Sequence, residues 1–386
     1  MKVLRVTTVP QSLHQLLKPQ LDFLKSDFEI VTAAGPFDQE NINNYGDWKY
    51  KHYEIALSRK ITPFKDLKAV FQLYKIIKKE KVDIIHTHTP KAGLVGMLAG
   101  LLAGTKIRFH TVAGMPFVET IGFKKKVLVA IERLTYRLAH QVMPNSYGLL
   151  NYIIANKLVA GKKVKILANG ATIGVDTDFY SRTPEVEEKS NAIRAELNIL
   201  PDDFVCCYVG RLTKQKGVEE LLTAFAKILP DNPKIKLIIL GRYEQHLDPI
   251  SDRFIAEIEA NPQIIHVGYK NDIRPYLALS NLFVFPSYRE GMPNVVLQAG
   301  CYDLPCIVTD IPGSNEIIKD GYNGLIVQTK SADALVTAIK YLIESEEVRK
   351  GMSDCARSEV NRKYDRKIIL GELKNEYYRW IHEKNL

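Results

Sequence analysis

The sequence predicts an α/β protein of two doubly wound, Rossmann-like domains, and three observations carry that prediction. Short β-branched or apolar runs alternate with longer segments of helical spacing, which is the pattern of βαβ units and parallel sheets. The runs fall into two sets, with a polar stretch between them. At 386 residues the chain also exceeds the size at which one hydrophobic core usually keeps growing.

In chain order, the strand-like runs of the first half are VLRVTTV, FEIVTA, VDIIHTH, IRFHTV, HQVMPNS and VKILANG. Those of the second half are FVCCYVGR, IKLIILG, IIHVG, LFVFPS, PCIVTD and GLIV. Between them, FKDLKAVFQLYKIIKKE, KKKVLVAIERLTYRLA, VEELLTAFAKIL and ADALVTAIKYLIES carry apolar residues at helical spacing. In GFKKKVLVAIERLTYRLA, the residues Val127, Leu128, Ile131, Leu134 and Leu138 read as a core-facing stripe. The polar segment SRTPEVEEKSNAIRAEL reads as the domain connection, giving domains 1–178 and 179–365 and a terminal helix, 366–386, that packs back on the first. Two such domains facing each other leave a central cleft at the C-terminal ends of their strands, where ligands of doubly wound sheets bind.

Composition excludes several classes. No run reaches the ~18 apolar residues of a membrane span, and MKVLRVTTVP turns polar at Thr7, too early for a secretion signal. Cys206, Cys207, Cys301, Cys306 and Cys355 have no metal-ligand spacing and read as reduced thiols of a cytoplasmic protein. Net charge is +9. Residues 1–180 hold 26 Lys+Arg against 14 Asp+Glu (+12), leaving 27 against 30 (−3) for the remainder. A basic first half suggests an anionic partner, a membrane surface or a phosphorylated substrate; a solvated basic face without a partner is the alternative. Nucleic acid has only this charge in its favour, since no binding module is present.

Two segments carry phosphate chemistry. In VGRLTKQKGVEELLTAF, a Gly after a strand is followed by Arg211 and Lys216 ahead of a helix, a setting that suits a diphosphate; a solvated loop is the alternative. In REGMPNVVLQAG, a strand leads through a turn to a helix starting near Asn294. The amides of Asn294, Val295 and Val296 then lack intrahelical partners and can face a phosphate. No GxxxxGK[ST] or GxGxxG turn occurs at a strand–helix junction.

VGRLTKQKG, followed by SYREGMPNVVLQAG and LPCIVTDIPGSNEII, resembles glycosyltransferase family 4, whose fold is GT-B. Weaker echoes lie in VDIIHTHTPKAG, HTVAGMPF, VMPNS and LANGATIGVDTDFY, and are most like the branch that builds capsule, O-antigen and lipid-linked glycans. The resemblance implies that Gly210, Arg211 and Lys216 grip the donor diphosphate. It also implies that Gly291, Met292, Pro293 and the amides of Asn294–Val296 support the distal phosphate, and that Glu290 holds donor-sugar hydroxyls. Gly268, Tyr269 and Lys270 fall where the family places the base. Gln298 stands at the family's ribose-binding Glu, where an amide oxygen accepts without charge assistance. On the acceptor side the echoes supply His88, Lys91, Ala113, Gly114, Asn145 and Asn169.

Ala113 replaces a His that in many relatives contacts the donor sugar. His110 is three residues away and, on a continued strand, faces the other side, so His88 is the better cleft group. Asp176–Asp178 imitates a metal-binding DxD motif, but the resemblance makes it a turn. The implied activity is metal-independent and cofactor-free, with retention: a hexose or N-acetylhexosamine moves from a UDP-linked donor to a polyprenyl-diphosphate-linked or other growing glycan. Arg211, Lys216 and Glu290 carry it, at the inner face of a membrane whose anionic lipid Lys124–Lys126 can meet. The alternatives are a soluble acceptor, a nucleotide-sugar epimerase, or a nucleotide-sugar-binding protein without turnover.

Overall fold

The computed structural model describes residues 1–37, 48–58, 62–115, 120–244 and 248–386. It divides into two compact units, Met1–Ile173 with Lys367–Leu386, and Gly174–Arg366, against sequence-based bounds of 178 and 365.

The N-terminal unit contains β1 (Lys2–Val6), α1 (Lys18–Leu24), β2 (Glu29–Ala34), β3 (Lys51–Glu54), α2 (Pro63–Glu80), β4 (Ile84–His88) and α3 (Pro90–Leu102). It continues with β5 (Ile107–Val112), α4 (Gly122–Leu138), β6 (Gln141–Pro144) and α5 (Tyr147–Ala155). Its strands form a parallel sheet in the order β3-β2-β1-β4-β5-β6. Alternation along the strands builds two cores. Leu4, Val6, Val31 and Ile85 pack with Leu73, Ile77 and Val95 on one face. Val3, Ile30, Ile84 and Phe109 pack on the other with Leu373, Tyr377 and Trp380 of the last helix, α14 (Arg366–Glu383).

Three sequence expectations need correction here. VKILANG is not a strand: Val164 makes one isolated bridge to Val142, and the chain then turns through positive φ at Ala168, Gly170 and Ala171. The edge strand β3 is instead KHYE, too polar to read as one. On α4 the buried residues are Glu132, Thr135 and Tyr136, whereas Val127 and Leu134 are exposed. Leu128 and Leu138 of the expected stripe do pack against the core, so periodicity caught part of the buried face and missed its polar centre.

The C-terminal unit comprises α6 (Pro184–Glu196), β7 (Phe204–Val209), α7 (Val218–Ile228), β8 (Ile235–Leu240), α8 (Asp252–Ala260), β9 (Ile264–Gly268) and α9 (Arg274–Ala278). There follow β10 (Leu282–Phe285), α10 (Asn294–Gly300), β11 (Cys306–Thr309), α11 (Ser314–Ile317), β12 (Gly324–Val327), α12 (Ala332–Glu344) and α13 (Glu346–Tyr364). Its parallel sheet runs β12-β11-β10-β7-β8-β9. The polar stretch expected to connect the domains is mostly α6, a helix of this unit. Thr183 caps it by accepting from Val186 N at 3.3 Å, and it buries only Val186 and Ser190, which explains its polarity. The five cysteines are free thiols. Among the described residues no helix is long and apolar enough to cross a membrane.

Candidate active site

In the C-terminal unit, β7 and β10 are neighbours, so the loops that leave their C-terminal ends lie side by side. Tyr288 N donates to Gln215 O at 2.9 Å, and Ser287 Oγ reaches the same carbonyl at 3.4 Å. Gly217, at φ 69°, brings the first loop so close that a Cβ there would stand 2.1 Å from Pro286 O. The loop after β11 joins in the same way: a Cβ on Gly313 would fall 2.2 Å from Gly291 O. Only glycine meets both demands, the left-handed φ and the missing side chain.

This stitching brings Lys216 and Glu290 together. Lys216 Nζ pairs with Glu290 Oε1, and Ser287 Oγ donates to the same oxygen at 2.8 Å. Both charged side chains are mostly buried. Lys216 Nζ also stands 5.4 Å from the centroid of the Phe285 ring. In this form the cation and the carboxylate neutralise each other, and an incoming diphosphate would compete with Glu290 for Lys216. Arg211 is placed differently. It is exposed and paired at 3.4 Å with Glu244, while Tyr208 OH donates to its carbonyl at 3.0 Å. Gly210 is required beside it, because a Cβ there would meet Tyr208 OH at 2.6 Å.

α10 begins at Asn294, as the sequence indicates, but Val296 N donates to Pro293 O at 3.1 Å. The expectation that its amide lacks a partner is therefore wrong; the turn closes on itself, leaving Asn294 and Val295 as the candidate amides. Gly291, Met292 and Pro293 are buried beneath them. Gln298 donates from Nε2 to Tyr180 OH at 2.8 Å, which directs its amide oxygen away from that contact. Burial, with Asp272 nearby, pushes Tyr180 up to about 12, so the phenol stays protonated. At the end of β9, Gly268 has φ 71° and its carbonyl accepts from Gly241 N at 2.9 Å. Tyr269 is exposed with the Arg242 guanidinium 4.4 Å over its ring, and Lys270 lies 5.9 Å from the Tyr276 ring. Ser287, Tyr180 and Arg242 escaped sequence reading.

The acceptor-side candidates sit in the N-terminal unit. His88 ends β4, fully buried against Arg5. Lys91, on the first turn of α3, pairs with Asp66 at 2.6 Å and reaches Thr62 Oγ1 at 3.2 Å. Ala113 and Gly114 follow β5. That strand stops at Val112, so the alternation argument relating His110 to Ala113 does not reach Ala113. His110 itself is buried, bonded to Thr87 Oγ1 at 2.8 Å, with its pKa lowered to about 4 by burial. Its ring fills the space beside Gly93, a structural position. Asn145 donates to Thr172 Oγ1 at 3.3 Å, while its buried Oδ1 has no partner among the described residues. Asn169 lies in the turn after Ala168. Asp176 is an anchor, accepting from Phe179 N at 3.0 Å and pairing with Arg366 at 2.9 Å. Among the described residues no cluster of His, Cys, Asp and Glu could hold a metal ion.

Comparison with known proteins gives the family and the fold. Residues 189–359 match the glycosyl transferases group 1 family, and residues 27–170 match the glycosyl transferase 4-like domain. The capsular polysaccharide biosynthesis glycosyltransferase CapM of Staphylococcus aureus is 30% identical over 386 residues, 99% of this chain and 98% of that protein. The Escherichia coli UDP-Gal:alpha-D-GlcNAc-diphosphoundecaprenol alpha-1,3-galactosyltransferase is 30% identical over 86% of this chain and 84% of its own. Among solved structures, sucrose-phosphate synthase from Thermosynechococcus elongatus has TM-score 0.82 at 18% identity, covering 99% of this chain and 100% of that one. Anabaena HepE in complex with UDP has TM-score 0.81 at 17% identity, covering 98% and 100%. These two likenesses carry the fold alone, two Rossmann-like units of the GT-B class. With a full-length relative at this identity and both halves matched, the chain belongs to the group 1 glycosyl transferases.

Proposed function

We propose that this glycosyltransferase moves a hexose or N-acetylhexosamine from a UDP-linked donor to a polyprenyl-diphosphate-linked acceptor, with retention. The observation that carries the donor side is the Lys216–Glu290–Ser287 cluster at the ends of two adjacent strands. Lys216 and Arg211 hold the diphosphate and offset the charge that grows on the leaving nucleotide. Glu290, released from Lys216, takes donor-sugar hydroxyls, and Gln298 accepts from the ribose. The acceptor hydroxyl attacks from the face of the departing diphosphate, whose oxygen takes its proton. Two side-chain cations fill the role a metal would otherwise have, so transfer proceeds in EDTA.

The relatives support the acceptor class: CapM by its name serves capsular polysaccharide, and the Escherichia coli enzyme by its name acts on a diphosphoundecaprenol-linked sugar. A peripheral position on an anionic membrane is supported by Phe64, Ile121 and Phe123, which are 91%, 87% and 81% exposed beside Lys65 and Lys124–Lys126. Titration calorimetry in EDTA against UDP, GDP, ADP and a non-specific RNA tests the donor reading. Selective UDP binding, weakened in Arg211→Ala, is expected; salt-sensitive RNA binding with no nucleotide binding would overturn it.

A further inference from the structure

Arg5 is fully buried, and every group that receives its hydrogens is neutral. Nη2 donates to Gln20 Oε1 and lies 2.6 Å from His88 Nε2, and Nη1 donates to Tyr377 OH at 3.1 Å. Among the described residues no carboxylate pairs with it. A guanidinium has donors and no acceptor, so the direction of each bond is fixed. His88 Nε2 must accept, and a neutral imidazole that accepts there carries its proton on Nδ1. Tyr377 OH also lies 2.6 Å from His86 Nδ1, a contact in which either atom can donate, since the phenol oxygen keeps a second lone pair. His86 Nε2 lies 2.8 Å from Thr111 Oγ1. The buried cation thus sets the tautomer of His88, whose ring stacks 4.5 Å from that of His86.

His88 is held neutral, its pKa driven well below the ordinary value by burial first and the Arg5 charge second. Its Nδ1 is buried with no partner among the described residues, and so is Arg5 Nε. Accepting from a cation at one ring nitrogen strengthens the donor at the other. The position is informative as well. His88 closes β4, and Thr89 after it has φ 74° and ψ 144°, a conformation β-branched residues avoid. Thr89 Oγ1 is held there by Thr8 Oγ1 at 2.7 Å and Thr8 N at 3.2 Å. The C-terminal end of a strand in a doubly wound sheet is where such folds meet their ligands.

We propose that His88 is a substrate contact whose Nδ1–H, fixed in that tautomer by Arg5, donates to an oxygen of the acceptor substrate, with Arg5 the positioning residue behind it. The proposal rests on the acceptor reading above and deepens it. It also removes His88 from the candidate general bases, because the ring's lone pair is committed to Arg5.

The test uses protein labelled with ¹⁵N-histidine, the His88 signals being assigned by their loss in His88→Gln. N-acetylglucosamine linked through diphosphate to a farnesyl chain is the acceptor probe, with methyl N-acetylglucosaminide, inorganic diphosphate and UDP alongside. The free protein should show the Nδ1–H tautomer, and the His88 signals should move with the acceptor probe and not with UDP. Movement with the glycoside assigns the contact to a sugar oxygen, and movement with inorganic diphosphate to a phosphate oxygen. His88→Asn keeps a donor near the Nδ1 position and should hold the probe within about threefold of the native affinity, whereas His88→Gln should lose about tenfold. Both variants should bind UDP normally. An Nε2–H tautomer, movement with UDP, or a silent His88 while calorimetry records probe binding would overturn the proposal alone. A probe that does not bind at all would overturn the acceptor reading and the proposal with it.

Discussion

Lys216 and Glu290 each satisfy the other before any ligand arrives, and the pair is mostly shielded from solvent. Lys216→Ala would remove the cation and leave Glu290 with Ser287 as its partner. Lys216→Ala or Arg211→Ala should lower turnover on the order of 100-fold, the usual loss when a charge-stabilising group is removed; the melting temperature should be little changed in Arg211→Ala and lower in Lys216→Ala, which strands a mostly buried carboxylate. Steady-state transfer assays beside thermal melts check this, and near-native turnover in both variants would sink the diphosphate assignment. Gln298 allows a gain-of-binding test. Gln298→Glu places a carboxylate where Tyr180 OH can donate to one oxygen and a ribose hydroxyl to the other, so UDP affinity should rise by roughly three- to tenfold. Unchanged or weaker UDP binding by calorimetry would argue against a ribose contact there. Arg211, Lys216 and Glu290 were legible because their order and spacing survive in one dimension. Tyr180 was not: it meets Gln298 from 118 positions away, and only the folded chain brings them together.

At the scale of elements, strands were legible where their residues are apolar, as in the buried β7 and β8 and even the edge strands β9 and β12, and illegible where the edge is polar, as in β3. Helix α4 shows the limit of periodicity, since its buried face carries Glu132, Thr135 and Tyr136. Burial pushes Glu132 up to about 7, opposed only in part by the neighbouring Tyr136 hydroxyl. Between the ordinary carboxylate range and pH 7 the folded protein therefore binds more protons than the unfolded chain. Stability falls as pH rises through that window, and the loss is complete above it. The cost at pH 8 is on the order of 3 kcal/mol. Glu132→Gln should melt at a higher temperature than the native protein at pH 8, with the difference shrinking towards pH 5. Parallel melting curves across that range would show that Glu132 titrates normally.

For the whole molecule, the basic first half was plain from composition, whereas the exposed apolar side chains that accompany it were not. Phe64 and Phe123 fall in segments that read as helices and Ile121 just before one, and only coordinates show that no described residue covers them. Replacing Phe64 and Phe123 by Ser and Lys124–Lys126 by Ala should reduce co-sedimentation with phosphatidylglycerol vesicles at least tenfold, since each lysine contributes about 1 kcal/mol at an anionic surface. UDP affinity should be unaffected. Equal sedimentation of the native and substituted proteins would remove the membrane reading.

The last helix has a consequence for how the chain is made. Leu373, Tyr377 and Trp380 complete the core begun by Val3, Ile30, Ile84 and Phe109, and Tyr377 also receives a hydrogen from Arg5. During vectorial synthesis the half translated first is thus the half finished last. One face of its sheet, covered in part by Leu21, Leu24 and Phe28, must wait with the rest apolar and open until Trp380 leaves the ribosome, while Gly174–Arg366 is continuous in the chain and can close beforehand. Nascent-chain surveillance in the cell should therefore fall mainly on the segment translated first.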